Sequence, residues 1–347
     1  MSSELLTSLL KDVSRSFYLT MRVLPGSIRT QISLAYLLAR TTDTVADTEI
    51  VPLEKRLEAL GHLRARVLGT SSARLNFGNL AENQSSPGEK ILLERCEDSL
   101  ALLAELSMDD QQRIREVLNT ITSGQESDLK LFAGASERRI VALQTEAELD
   151  DYTYRVAGCV GEFWTKICVA NQLAGKPRPD FEISSQTSLG KLGIRFGKGL
   201  QLVNILRDLP RDLRMGRCYI PQEILDAVKL APSDLLSPAN ESTFRPAYNQ
   251  LLDAAQDHLA AGWNYTKCLP RSQLRLRLAC AWPVLIGAKT LAKLRHGKVL
   301  DPAHRLKVSR SEVRNLILKS ILVYPFSSAW DSQFLEAARV QECSCVR

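Results

Sequence analysis

Tryptophan and methionine are scarce in this chain, four of each in 347 residues, and aromatic residues make up only 6% of it. Regular alternation of apolar and polar residues, the mark of half-buried strands, is missing, and β-branched runs are short. That excludes an all-β sandwich or barrel. No run approaches the ~20 apolar residues of a membrane-spanning helix. The best late stretch, Asn315 to Phe326, is too short and carries Lys319. Glu4, Lys11, Asp12 and Arg15 interrupt any apolar run at the start, so no secretory leader is expected. Dense tracts of lysine and arginine are absent too, and a net charge of +6 is modest for this length. Nucleic acid is therefore not the expected partner. The basic excess suits an anionic substrate or a membrane surface.

The eight cysteines (Cys96, Cys159, Cys168, Cys218, Cys268, Cys280, Cys343 and Cys345) form no C-x-x-C pair and no cluster with histidine at zinc spacing. Reduced thiols in a cytoplasmic setting are expected. Cys343 and Cys345 read as a frayed tail. A dinucleotide fingerprint is missing as well. Gly193, Gly197 and Gly199 lie in a helical pattern with no strand before them, so they do not form a Rossmann loop. No internal repeat of 20–50 residues is visible.

Apolar residues recur at helical spacing almost everywhere, and hydrophobic residues reach 45%. The pattern predicts helices over roughly 3–12, 27–48, 52–69, 88–104, 109–133, 146–173, 186–213, 221–228, 244–268, 272–295 and 309–320. The expected architecture is all-α, a single domain over 1–347. Polar or proline-bearing breaks fall at 70–89, 174–186 and 231–246. None is long enough to separate two independent cores.

Against this background two acidic stripes stand out. Tyr36, Arg40, Asp43 and Asp47 are spaced by four, three and four residues, so they share one helical face. Thr41, Thr42, Thr44 and Thr48 around them are poor helix formers. A local rule broken on one face points to a site. Gln201, Asn204, Asp208 and Asp212 form the second stripe, again on one face. Pro210 should disturb the helix between the two aspartates. Arg207, Arg211, Arg214 and Arg217 supply cations beside it. Paired carboxylates also serve as acid and base in glycosidases, but that chemistry does not explain arginines at both pairs. An ordinary solvated face with an Arg40–Asp43 ion pair is the plainer alternative. Two carboxylate pairs with adjacent cations suit magnesium and a diphosphate.

Four segments now read together: Ser14 to Phe17, Tyr36 to Thr48, Tyr152 to Gly161, and Gln201 to Glu223. In this order they resemble the squalene/phytoene synthase family, the head-to-head isoprenyl diphosphate synthases. The resemblance implies the all-α isoprenoid synthase fold, with a central cavity and the acidic motifs on opposite walls. It implies that Asp43, Asp47, Asp208 and Asp212 hold Mg2+ against substrate diphosphates. Ser14, Arg15, Ser16, Arg40, Gln201, Asn204 and Arg207 would bind the diphosphate. Tyr36 and Tyr152 would face the reacting carbons, with Tyr152 guiding cation or proton chemistry.

Within the family, Cys280-Ala-Trp-Pro283 and the stretch Val299 to Val313 resemble the squalene synthase branch. The Gly124-to-Asp128 segment resembles phytoene-type enzymes instead. The favoured implication is condensation of two farnesyl diphosphates through presqualene diphosphate, then reduction with NADPH. Dehydrosqualene, phytoene or presqualene diphosphate synthesis is the alternative, and NADPH rests on the resemblance alone. A non-catalytic assembly factor of this fold would have lost acidic motif residues, and all four aspartates are present. Chain-elongating prenyltransferases use adjacent aspartates in the first motif, whereas Thr42 precedes Asp43 here. A membrane-binding protein would need a basic face, for which Arg271, Arg275, Arg277, Lys289, Lys293 and Arg295 are the candidates. The expected state is a cytoplasmic monomer without the C-terminal anchor of eukaryotic squalene synthases. Peripheral membrane contact stays open to it, because the product is apolar.

Overall fold

The computed structural model describes residues 5–14, 17–173, 183–303 and 306–339. The helices used below are α1 (Gly26–Asp47), α2 (Leu53–Leu68), α3 (Pro87–Glu94), α4 (Met108–Leu131), α5 (Cys159–Cys168), α6 (Ile183–Arg214), α7 (Glu241–Cys268), α8 (Leu274–His296), α9 (Arg310–Val323) and α10 (Ser327–Ala338). Two short strands, β1 (Val141–Ala142) and β2 (Arg217–Cys218), pair in parallel, Val141 opposite Arg217. The all-α expectation holds. No described helix is long and apolar enough to cross a membrane.

The chain forms two compact units, Met1–Ala133 with Cys159–Gly190, and Gly134–Gly158 with Lys191–Arg347. In the first, α1 packs on α2, α4 and α5. Ile28, Ile32, Leu34, Leu37, Leu38 and Val45 bury it on nearly every side, as an apolar central helix requires. The α4 helix starts where the Ser107 hydroxyl accepts from the Asp110 amide, with Asp109 and Asp110 in its positive first turn. Its buried stripe runs through Ile114, Val117, Leu118, Ile121, Gln125 and Leu129. Glutamine in such a stripe needs a polar reason to be there.

In the second unit, α8 packs between α7, α9 and α10. Helix α6 passes close to its neighbours at Gly197, where an added Cβ would lie 2.1 Å from the Ala157 carbonyl oxygen. Gly216, with φ +78°, turns the chain out of α6 and brings its backbone against Ser136. Val141 then donates to the Gly216 carbonyl at 2.9 Å, and Leu143 to Cys218 at 3.1 Å. The strand pair thus follows from that turn.

Several local expectations change. The helix expected over 88–104 is broken at Arg95, whose side chain turns to Asp98 at 2.9 Å. The 70–89 break contains a helical turn, Asn79–Glu82. Helices Phe17–Val23 and α10 were not expected. The stripe of α10 (Trp330, Gln333, Phe334, Ala337) gains its meaning only against α8 and Trp263. As expected, the helices over 186–213 and 244–268 run through Pro210 and Pro246. Four of the six residues of the candidate basic face are engaged elsewhere, while Arg271 and Arg275 are exposed. Arg277 is buried between Tyr324 and Trp330, Lys289 and Lys293 pair with Glu312, and Arg295 pairs with Asp253.

Candidate active site

The first stripe occupies the C-terminal half of α1. Its threonine hydroxyls are satisfied by carbonyls one turn back: Thr41 to Leu37 at 2.9 Å, Thr44 to Arg40 at 2.8 Å, and Thr48, which caps the helix, to Thr44 at 2.6 Å. Arg40 bridges two acids, Glu89 of α3 and Asp43 at 3.8 Å. Asp43 accepts from the Gln125 amide of α4 at 2.5 Å. Its side chain keeps 47% of its surface accessible. The carboxyl is crowded on its protein side and open on the other.

That environment pushes the Asp43 carboxyl up to about 7. Loss of water around the charged form is the first cause and repulsion from Asp47 the second, while Arg40 and Gln125 pull it down. Asp47 itself is exposed. Two like charges one turn apart, the charged form of one opposed by burial and by the other, fit a hard divalent cation. Among the described residues no group of three His, Cys, Asp or Glu forms a ready-made metal cage. Magnesium fits such a sparse set, because it takes one or two carboxylates and completes its shell with water and phosphate oxygens.

Ser14 and Tyr36 lie together. The Tyr36 hydroxyl donates to the Val13 carbonyl at 3.3 Å, and its ring stacks on Phe17 with centroids 5.9 Å apart. The Ser14 hydroxyl is buried without a hydrogen-bond partner among the described residues. Arg15 and Ser16, expected beside it on the diphosphate, lie outside the described residues.

The second stripe lies on the less buried face of α6. Gln201, Asp208 and Asp212 are half-buried and Asn204 is exposed, while Leu202, Val203, Leu206, Leu209 and Leu213 are buried. Arg207 does not stand apart as a free cation. It folds onto Asp208 with both ends of its fork, at 2.9 and 2.5 Å. Both Asp208 oxygens are thereby engaged by an arginine, the role a cation would otherwise fill. Pro210, between the two aspartates, has no N–H for the Leu206 carbonyl. The Tyr248 hydroxyl of α7 donates to that carbonyl instead, at 2.9 Å. Arg214 reaches back to the Pro210 carbonyl at 3.0 Å. The helix therefore crosses the proline with its hydrogen bonds replaced from the side.

Tyr152 lies one residue before the end of a helix, Glu146–Thr153, that leads into a π-turn at Tyr154–Gly158. Its ring stacks on Tyr219, with centroids 4.8 Å apart and planes at 23°. Tyr219 directly follows β2, so the strand pair carries the ring from the Asp212 end of α6 to Tyr152.

Sequence reasoning missed Glu89, Gln125, Tyr219 and Tyr248. Gln125 left one signal, a polar residue on an otherwise apolar stripe. The others touch the stripes only through tertiary contacts.

The fold is that of the isoprenoid synthases. A solved structure of TcSQS with the ligand E5700 superposes with a TM-score of 0.77 at 21% identity, over 99% of this chain and 93% of that one. The squalene/phytoene synthase family model matches residues 10–312, and the chain belongs to that family. It is 27% identical to the squalene synthase of Saccharomyces cerevisiae over 90% of its own length. It is 29% identical to the presqualene diphosphate synthase of Sinorhizobium fredii, over 75% of this chain and 77% of that protein. The chain spans about two thirds of the length of the yeast relatives, 66% for S. cerevisiae and 64% for Schizosaccharomyces pombe.

Proposed function

We propose that this protein is a magnesium-dependent prenyltransferase that joins two farnesyl diphosphates head to head, and that it acts as a squalene synthase in a single isoprenoid synthase domain. The observation that carries the reading is the twofold occurrence of a carboxylate pair on one helical turn with an arginine engaging its first aspartate, Arg40 at Asp43 and Arg207 at Asp208. Kinship to squalene synthases and a presqualene diphosphate synthase supports it.

In this reading Asp43, Asp47, Asp208 and Asp212 hold Mg2+, which supplies charge neutralisation for the departing diphosphate. Arg40 and Arg207, with Ser14, Arg15, Ser16, Gln201 and Asn204, bind and orient the phosphate oxygens. Breaking the allylic C1–O bond sends its electron pair out with the diphosphate. The double bond of the second farnesyl chain attacks the cation, and loss of a proton closes the cyclopropane of presqualene diphosphate. Tyr152, steadied by Tyr219, guides that proton, and Tyr36 lines the reacting carbons. Leucine- and valine-rich helix faces keep water from the cation. A second ionisation then needs hydride to give squalene. Among the described residues the parallel pairing of β1 and β2 is too short for a dinucleotide-binding unit. NADPH therefore enters through the relatives, and none of this chain's residues is assigned to it.

Product analysis by gas chromatography–mass spectrometry tests the proposal, with farnesyl diphosphate and Mg2+, with and without NADPH. Squalene formed only with NADPH supports the squalene branch. Dehydrosqualene under both conditions moves the protein to the carotenoid branch. Accumulated presqualene diphosphate marks a first-half enzyme. No product from farnesyl or geranylgeranyl diphosphate would sink the catalytic reading.

A further inference from the structure

Pro210 stands between the aspartates of the second stripe, where an α-helix can least tolerate it. A proline there removes the hydrogen bond to the carbonyl four residues back and presses its ring against that carbonyl. The carbonyl in question belongs to Leu206, and it is the one that the Tyr248 hydroxyl reaches at 2.9 Å. Tyr248 is fully buried in α7, with its ring against Phe244 (centroids 5.5 Å apart) and under Arg245 (5.4 Å). Packing fixes the ring, so the hydroxyl has little freedom to do anything else. Helices α6 and α7 also meet closely at Gly199, where an added Cβ would lie 3.0 Å from the Leu259 amide nitrogen and from the His258 Cβ. The donor is thus delivered by a rigid neighbour rather than a mobile loop.

We infer that Tyr248 is a positioning residue for the second acidic stripe: its hydroxyl replaces the backbone hydrogen bond that Pro210 deletes, and so holds Asp208 and Asp212 on one face. Asp208 lies before the break and Asp212 after it. A helix that bent or loosened at Pro210 would change the separation of the two carboxylates. A metal or diphosphate bound between them would feel that change directly. A hydroxyl that merely filled a buried hydrogen-bonding need would instead affect stability alone.

The inference rests on the diphosphate-binding reading of the stripe, and a double-mutant cycle tests it. Alanine at position 210 restores the backbone N–H, which makes the Tyr248 hydroxyl redundant. Binding of inorganic pyrophosphate in the presence of Mg2+ would be measured by calorimetry on the full chain, for the wild type, Y248F, P210A and the double variant. Y248F is expected to weaken binding by about tenfold, the scale of one lost hydrogen bond. In the P210A background the same change should cost less than about twofold. Unchanged pyrophosphate binding in Y248F, with only a lower melting temperature, overturns the inference. So does an equal loss with and without Pro210. If the wild type binds no pyrophosphate, the diphosphate reading fails on its own. Amide exchange over Arg211 to Arg214 then decides the positioning role. Y248F must speed exchange there about tenfold with Pro210 and leave it unchanged with alanine, or the inference falls.

Discussion

Gln125 donates its side-chain amide to Asp43 at 2.5 Å, across 82 positions of chain and between two packed helices. Its own carbonyl oxygen is buried and finds no partner among the described residues. The amide is therefore oriented by Asp43, and it favours the charged form of a carboxyl that burial and Asp47 oppose. Gln125→Leu removes that support and adds no charge. The amount of Mg2+ needed for half-maximal pyrophosphate binding should rise about tenfold, the scale of one charge-assisted hydrogen bond. A magnesium titration by calorimetry checks it, and an unchanged midpoint would detach Gln125 from the site.

Asp43 should cost stability in the metal-free protein. Its charged form is disfavoured by partial burial and by repulsion from Asp47 one turn away. The neutral amide of Asp43→Asn keeps an acceptor for Gln125 and removes the repulsion. The variant is expected to melt a few degrees higher than wild type at pH 8 without Mg2+, and to lose turnover by at least about a hundredfold. Thermal melts and a pyrophosphate-release assay read the two effects. A variant that melts lower, or one that keeps near-normal activity, contradicts the assignment of Asp43 as a metal ligand.

Arg207 gives opposite signs in two assays. Its fork occupies both oxygens of Asp208, at 2.9 and 2.5 Å. Arg207→Ala frees the carboxylate, so Mg2+ alone should bind several-fold tighter. The same change deletes a phosphate-binding cation, so kcat/KM for farnesyl diphosphate should fall about a hundredfold. Lysine keeps the charge without the fork and should fall between the two. Parallel losses of metal affinity and turnover in Arg207→Ala would mean that the pair serves folding rather than ligand exchange.

Much of the site was readable because helical spacing is rigid. Tyr36, Arg40, Asp43 and Asp47 share a face wherever α1 packs, and so do Gln201, Asn204 and Asp208. Pro210 removes a backbone hydrogen bond, as local physics requires, yet α6 stays helical through it. What local physics could not contain was Tyr248, 38 positions later and fixed by packing. Glu89 and Tyr219 are hidden for the same reason, since each meets its partner only through tertiary structure. The candidate basic face loses four of its six members from the opposite cause. Spacing along α8 says nothing of what covers it, and Glu312 and the aromatic rings of Tyr324 and Trp330 do. The threonines at the end of α1 look unsuited to a helix until their hydroxyls are seen bonded to carbonyls of the preceding turn.

Glu312 supplies a pH-dependent latch for α9. It closes a capping box with Ser309, giving its carboxylate to the Ser309 amide at 2.8 Å while the Ser309 hydroxyl accepts from the Glu312 amide at 3.2 Å. Lys293 donates to it at 2.7 Å and Lys289 lies 3.5 Å away, both from α8. Burial alone would raise its carboxyl, but Lys293 and Ser309 outweigh that and hold it down at about 2. A carboxyl depressed on folding stabilises the native state above its unfolded value near 4.5, and the contribution is lost as pH falls toward 2. Partial solvent access reduces the effect to about 1–2 kcal/mol. Glu312→Gln should therefore melt below wild type at pH 7, and the two should converge by pH 2–3. Glutamine also leaves Lys289 and Lys293 without their carboxylate, so part of the deficit at pH 7 should shrink in high salt. Denaturant melts across pH 2–7 measure the gap, and a gap that stays constant over that range would rule out the carboxylate as its source.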